Sequence, residues 1–304
     1  MCDGHRGPET AAGERSQAMK DIVTAGVDGT PESRAAVLWA AREARLRRAR
    51  LRLLHAWVLL ASETGPQASG QNYWAHRMMD EAVAAVRARH PDLPVDADLV
   101  AKDPMEALKE AAAASDLLVL GSRNLGPVSR YVLGELGLQL VTHTSTPAVI
   151  VRADQEPTPD GRDGDVVLGV SLHEPCEALF AFAFASAARR GVTLRAVHGR
   201  HLPAYAYNRG GGVEPCAAEE AAKLARYELE QALRPWREKY PDVPVDARAE
   251  MESPAPALLH DTAGAALLAV GRRHRHLLPG PRIGHIVQAV VHHAPCPVAV
   301  VPHE

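Results

Sequence analysis

The chain has 304 residues, with 34 Lys+Arg against 37 Asp+Glu for a formal net charge of −3, and hydrophobic residues make up 46% of it. That length gives room for two cores of ordinary size, and the near-neutral charge removes any bulk electrostatic case for nucleic acid or an acidic membrane as partner. The four cysteines (Cys2, Cys176, Cys216, Cys296) form no CxxC pair, so reduced thiols are expected in place of a disulfide frame or zinc knuckle.

The first 19 residues are polar and glycine-rich, without an apolar leader segment, and no stretch reaches the ~18 apolar residues of a membrane span. A loose tail over 1–19 and a soluble, cytoplasmic protein are the expectation. Short β-branched runs then alternate with longer Ala- and Leu-rich amphipathic stretches. The pattern predicts strands near 21–27, 51–57, 95–101, 117–120 and 147–152, with helices near 32–49, 71–90, 104–115 and 135–146. Residues 154–164 are rich in Pro, Gly and Asp, carry no hydrophobic period and read as a linker. Strands recur near 165–170, 192–198, 244–250, 265–270 and 297–301. Between the second and third of these, 199–215 holds Tyr205, Tyr207 and three consecutive glycines and reads as a mobile surface loop.

The recurrence is literal in places. DIVTAGV at 21–27 answers to DVVLGV at 165–170, RHPDLPVDA at 89–97 to KYPDVPVDA at 239–247, and STPAVIV at 145–151 to PCPVAVV at 295–301. The offset is 143 at Gly26/Gly169 and at His55/His198 but 150 at Pro91/Pro241 and Gly121/Gly271, so seven residues entered the second copy between His198 and Pro241. A repeat of this period is a domain, not a solenoid unit. Apolar strands alternating with helices make each copy a doubly wound α/β sandwich on a five-stranded parallel sheet. The expected domains are 20–153 and 165–304.

In such sheets ligands bind beyond the carboxyl ends of the strands, where the strand order reverses. After the first strand comes Gly26-Val27-Asp28-Gly29-Thr30-Pro31-Glu32-Ser33, which places a carboxylate just ahead of a helix. After the fourth comes Gly121-Ser122-Arg123-Asn124, nine residues, then Gly134-Glu135. Glycines let a backbone approach phosphate, and a helix opening near Gly134 presents free N–H groups.

With the five-strand repeat, these motifs resemble a tandem universal stress protein, and the likeness covers about 20–302. The resemblance implies an adenine nucleotide α-hydrolase-like, Rossmann-like fold and an ATP site enclosed by a strand-one Asp and a Gly-x-x-Gly-x9-Gly-Ser/Thr loop. It also implies pairing through the last strands, here within one chain. In copy one Asp28, Ala56 (through its backbone, at the adenine), Gly121 and Gly134 match, with Ser122 and Arg123 inside the loop; Asn124 replaces the second Gly and Glu135 the Ser/Thr. A carboxylate at Glu135 suits the helix dipole by ~0.3–1 kcal/mol. It also repels a phosphate charge ~4 Å away by about 4 kcal/mol at an effective dielectric of 20, unless Mg2+ bridges them. Copy two departs further: Ser171 replaces the Asp, and the loop runs Gly271-Arg272-Arg273-His274, nine residues, Gly284-His285. No metal-ligand spacing connects His274, His276, His285, His292 and His293, and no Ser-His-Asp or Cys-His order appears. Three readings stay open: a regulatory protein of the stress response that binds ATP, with Mg2+ alongside, weakly and in the first domain only; a nucleotide-free scaffold for a regulatory protein partner; and a slow ATPase with Asp28 assisting metal and water.

Overall fold

The computed structural model describes residues 22–58, 66–122, 135–155, 164–173, 176–208, 210–273 and 283–303; for 66–72 and Glu135 it describes the backbone alone. The first half runs β1 (Ile22–Gly26), α1 (Pro31–Arg47), β2 (Arg50–Ala56), α2 (Pro66–Arg89), β3 (Val95–Val100), α3 (Pro104–Ala113), β4 (Leu117–Gly121), α4 (Glu135–His143) and β5 (Ala148–Val151). The second runs β6 (Val166–Gly169), α5 (Glu177–Arg190), β7 (Leu194–Gly199), α6 (Pro215–Lys239), β8 (Val245–Glu250), α7 (Pro254–His260), β9 (Leu267–Arg273), α8 (His285–His293) and β10 (Val298–His303).

The two five-stranded sheets are one sheet of ten strands, in the order β3-β2-β1-β4-β5-β10-β9-β6-β7-β8. Every pairing is parallel except that of β5 with β10, whose register is Val298↔Ile150, Ala299↔Val149 and Val300↔Ala148. Val149 and Ala299 are repeat equivalents at offset 150, so each strand pairs with its own copy about a local two-fold axis. Alternate strand residues feed opposite faces. Val23, Leu51, Leu53, Leu117 and Val119 pack beneath α1 and α2, while Leu54, Leu118 and Leu120 pack with α3 and α4. Burial on both faces is why the inner strands are apolar without alternation.

Two local devices set the helix ends. Thr30 caps α1 by accepting from the Ser33 N–H at 3.1 Å, and Pro31 takes the first helical position, where its missing N–H costs nothing. At the far end Arg48 turns the chain in the left-handed region, at φ 55°, whereas its equivalent Gly191 does the same at φ 64° after α5. The segment 199–215 is more ordered than its composition suggests. A 3-10 turn over Ala204–Ala206 buries Ala206 completely, and Asn208 Oδ1 accepts from the N–H groups of Gly210 and Gly212 at 3.0 and 2.9 Å. Asn208 supplies the turn that the glycines alone would leave loose.

The halves also meet through α1 and α5. The Glu43 side chain is fully buried among Arg47 of its own helix and Arg189 and Arg190 of α5. Arg47 lies over the Phe182 ring at 5.5 Å and Arg190 over Trp39 at 6.0 Å. Burial by itself would raise the Glu43 carboxyl, yet Arg190, Arg47 and Arg189 together hold it at about 2 against an ordinary 4.5.

Two expectations follow. A depressed folded-state pKa stabilises above the unfolded value and is lost as pH falls through the folded one. The protein should therefore lose about 3 kcal/mol of stability between pH 4.5 and 2, a loss absent from Glu43→Gln, and that variant should be weaker by about 3–5 kcal/mol at neutral pH, where it leaves guanidinium groups around a neutral amide. Denaturant titrations across pH measure both. Arg48→Gly should stabilise by about 0.5–1 kcal/mol, because glycine adopts the left-handed cap without a Cβ clash; an unchanged denaturation midpoint would contradict that.

Candidate functional site

The strand order β3-β2-β1-β4-β5 places the first reversal between β1 and β4, and β8-β7-β6-β9-β10 repeats it between β6 and β9. At the carboxyl end of β1, Asp28 Oδ1 accepts from the Thr30 N–H at 3.0 Å and from the Thr30 hydroxyl at 2.6 Å. Ser33 Oγ accepts from the Asp28 N–H at 3.1 Å and donates to Gly26 O at 3.3 Å. Asp28 is thus fixed in direction by the same residues that start α1. Gly29, at φ 78°, makes the turn between them possible.

Gly121 ends β4 directly against α1. A Cβ built there would lie 2.6 Å from Glu32 C and 2.7 Å from Ser33 N. That glycine is required by the close approach of α1's first turn, which holds the floor of the site in place. Ser122 follows it; its N–H donates to Val151 O at 2.8 Å, and its buried hydroxyl has no partner among the described residues. On the other flank Ala56 ends β2 opposite Val100. His55 Nδ1 donates to Val27 O at 2.7 Å, and the ring of Trp57 stacks on it at 5.7 Å with its buried Nε1 unpartnered among the described residues. The structure therefore brings Asp28, Ala56, Gly121 and Ser122 to the ends of three adjacent strands. Arg123 and Gly134 lie outside the described residues, as does the side chain of Glu135, whose backbone opens α4.

Sequence reasoning passed over the His55–Trp57 pair. The signal available was the paired offset of His55 and His198; His198 makes the same bond, to Val170 O at 2.9 Å, from a buried position that lowers its pKa. It also passed over a cavity of about 800 Å3 at the second reversal. There the two halves differ in how their first helix begins. At offset 143 Pro31 corresponds to position 174, but α5 opens only at Glu177, and Cys176 stands for Ser33 and caps the helix through Sγ, 3.3 Å from the Leu179 N–H. Gly271, the equivalent of Gly121, has the side chains of His303 and Leu179 as its nearest described neighbours, at 3.1 and 3.4 Å. Among the described residues no group of three or more His, Cys, Asp and Glu side chains is placed to hold a metal ion, and no helix is long and apolar enough to cross a membrane.

A family model described as the Universal stress protein family matches the chain twice, over residues 19–152 and 164–302. Universal stress protein Rv2005c of Mycobacterium tuberculosis (strain ATCC 25618 / H37Rv) is 31% identical over 300 residues, spanning 91% of this chain and 96% of its own length. A universal stress protein of Mycolicibacterium smegmatis (strain ATCC 700084 / mc(2)155) is 32% identical over 290 residues, spanning 92% and 96%. Among solved structures, a universal stress protein from Archaeoglobus fulgidus DSM 4304 has the same fold, with a TM-score of 0.69 over 94% of this chain and 100% of that one, at 14% identity.

The two equivalent glycines should respond differently to one methyl group. Gly121→Ala presses on backbone and is expected to cost about 1–3 kcal/mol, while Gly271→Ala meets side chains at 3.1–3.4 Å and should cost less than about 1 kcal/mol. Equal losses in paired denaturation curves would refute the difference in packing at the two positions.

Proposed function

The chain belongs to the universal stress protein family, and from that premise we propose that its first half binds an adenine nucleotide, ATP with Mg2+, and that the bound state, not turnover, is what it contributes to a stress response. The observation that carries this reading is the fixed carboxylate at the first strand reversal. Asp28 is held by Thr30 beside the start of α1, over a floor that only glycine at position 121 permits.

Each part has a chemical role. The Asp28 carboxylate accepts hydrogen bonds from ribose hydroxyls, the backbone at Ala56 meets the edge of adenine, and the Gly121-Ser122 turn faces the phosphates with Arg123, Gly134 and Glu135 beyond it. Two buried polar atoms without partners among the described residues, Ser122 Oγ and Trp57 Nε1, sit at the ends of the flanking strands and fit a polar ligand. Mg2+ would supply charge compensation between the phosphates and Glu135. The β5–β10 pairing makes one chain the equivalent of a dimer, cytoplasmic in this reading, with a protein partner reading its nucleotide state.

A second reading is a nucleotide-free scaffold. It is favoured by one observation, that α4 opens with a glutamate at the position where a phosphate would need a free helix end.

Calorimetric titration of ATP, with and without Mg2+, separates the two. The expected result is one equivalent that disappears in Asp28→Ala, with Glu135→Ser tightening binding about tenfold or more as the repulsion is removed. One equivalent that survives Asp28→Ala would move the site out of the first half. No binding in either the parent or Glu135→Ser would leave the scaffold reading.

A further inference from the structure

The amino ends of the first-half strands carry a cationic cluster that the nucleotide reading does not use. A cavity of about 330 Å3 opens there, between the end of α1, the start of β2 and the segment joining α2 to β3. Its described lining holds four guanidinium groups, those of Arg45, Arg48, Arg50 and Arg89, with the His90 ring and one carboxylate, Asp92. Arg50 is matched by Asp96 of β3 at 2.6 Å. Arg45 and Arg48 have no carboxylate partner among the described residues. Burial, and then the charges of Arg45, Arg89 and Arg42, push the His90 imidazole below its ordinary 6.5, so these cations crowd one spot.

Cations at a helix C-terminus are ordinarily explained by the helix dipole. Here that explanation falls short, because both helix ends are closed by backbone. Arg48 N–H donates to Arg45 O at 3.1 Å, Ala49 N–H to Ala44 O at 2.8 Å and His90 N–H to Val86 O at 2.8 Å. The second half builds the same two ends without the cluster: Arg45, Arg48, Arg50 and His90 correspond to Ala188, Gly191, Thr193 and Tyr240. Only Arg89 keeps a cationic equivalent, Lys239. Arg48 is also the one non-glycine residue in the left-handed region among the described residues, at φ 55°, where Gly191 makes the same turn. A long side chain carried there at backbone cost points to a use for its head group.

We propose that this cavity binds a small anion bearing two linked phosphate groups, held by the guanidinium groups of Arg45, Arg48 and Arg89. The planar fork of arginine matches phosphate oxygens two at a time. Guanidinium groups arriving from two separate helix ends suit a diphosphate that spans them, and the volume is at the small end of ligand sites. Asp92 is exposed on the rim, where solvent and salt screen it. The cavity lies at the opposite end of β2 from Ala56, roughly 20 Å away along seven residues of strand, and is separate from the nucleotide site. No bond is made or broken; the activity is binding.

The test is calorimetric titration of inorganic pyrophosphate into the full-length chain. One equivalent is expected, at least tenfold tighter than orthophosphate and unchanged in Asp28→Ala. Arg48→Gly should weaken it about tenfold while the denaturation midpoint does not fall, which separates a lost contact from a lost fold. Adding Arg45→Gln should weaken it further, and Arg226→Gln, exposed on α6, should leave it unchanged. ADP titrated into Asp28→Ala tells the source of the diphosphate: affinity equal to that of pyrophosphate assigns the free anion, and a gain that Arg48→Gly removes assigns a nucleotide. Pyrophosphate binding that survives Arg48→Gly with Arg45→Gln, falls equally in Arg226→Gln or is matched by orthophosphate would overturn the proposal. Loss in Asp28→Ala would also overturn it, by moving pyrophosphate to the nucleotide site.

Discussion

Everything in this molecule is arranged about the antiparallel ladder between β5 and β10. Both strands are apolar and buried, Ala148–Val151 on one side and Val298 to Val301 on the other. Exposed, either would be a flat hydrophobic sheet edge, open to pairing with any other chain. Joined, they leave only β3 and β8 as outer edges, and these read VDADLV and VDARAE. Asp96 and Asp98 pair there with Arg50 and Arg52 of β2, and charges of this kind discourage further strand addition. The chain thus places its charge where the sheet ends and withholds it where the halves meet.

The ladder has a geometric consequence for both strand reversals. Because the halves run antiparallel, the carboxyl end of one sheet lies at the amino end of the other, and the last helix of each half ends near the other half's mouth. Arg272, at the end of β9, donates to the carbonyls of Thr142 and Thr144 at 2.9 and 2.6 Å, at the finish of α4. Arg152 reaches the Ala294 carbonyl after α8 at 2.9 Å. A cation at a helix C-terminus is favourable by ~0.3–1 kcal/mol when exposed and more when partly buried. Helix α4 therefore opens with Glu135 at the first reversal and closes with His143 beside the cavity at the second, and nine residues of helix, roughly 13 Å, separate the two.

The order of strands and helices, the two copies and the positions of Asp28, Ala56, Gly121 and Ser122 could be read from residues, because each rests on local chemistry: apolar runs, turn glycines, a capped helix start. What could not be read depends on distant contacts. Strand β9 continues to Arg273, three residues past the expected end, because β10 extends alongside it to His303. Helix α4 stops at His143 because Thr144 Oγ1 accepts from the Thr146 N–H and Thr146 donates to Ala112 O, a local turn that replaces helical bonding. Glu43 gave no sign of its role, since Arg189 and Arg190 lie far along the chain and meet it only when the helices cross.

In the second half the motif and the packing diverge together. Judged by its letters, the replacement of Asp28 by Ser171 and of the Ser/Thr position by His285 describes decay. The same divergence reaches the packing: Cys176 stands in place of Ser33 and caps α5, which opens at Glu177, three positions after the equivalent of Pro31. Phe180 and Phe184 stand where the first half has Val37 and Ala41, and Trp236 packs on them at 5.8 and 5.9 Å. The strand order of the second half nevertheless mirrors that of the first, so the sheet does not depend on the residues at its loop ends.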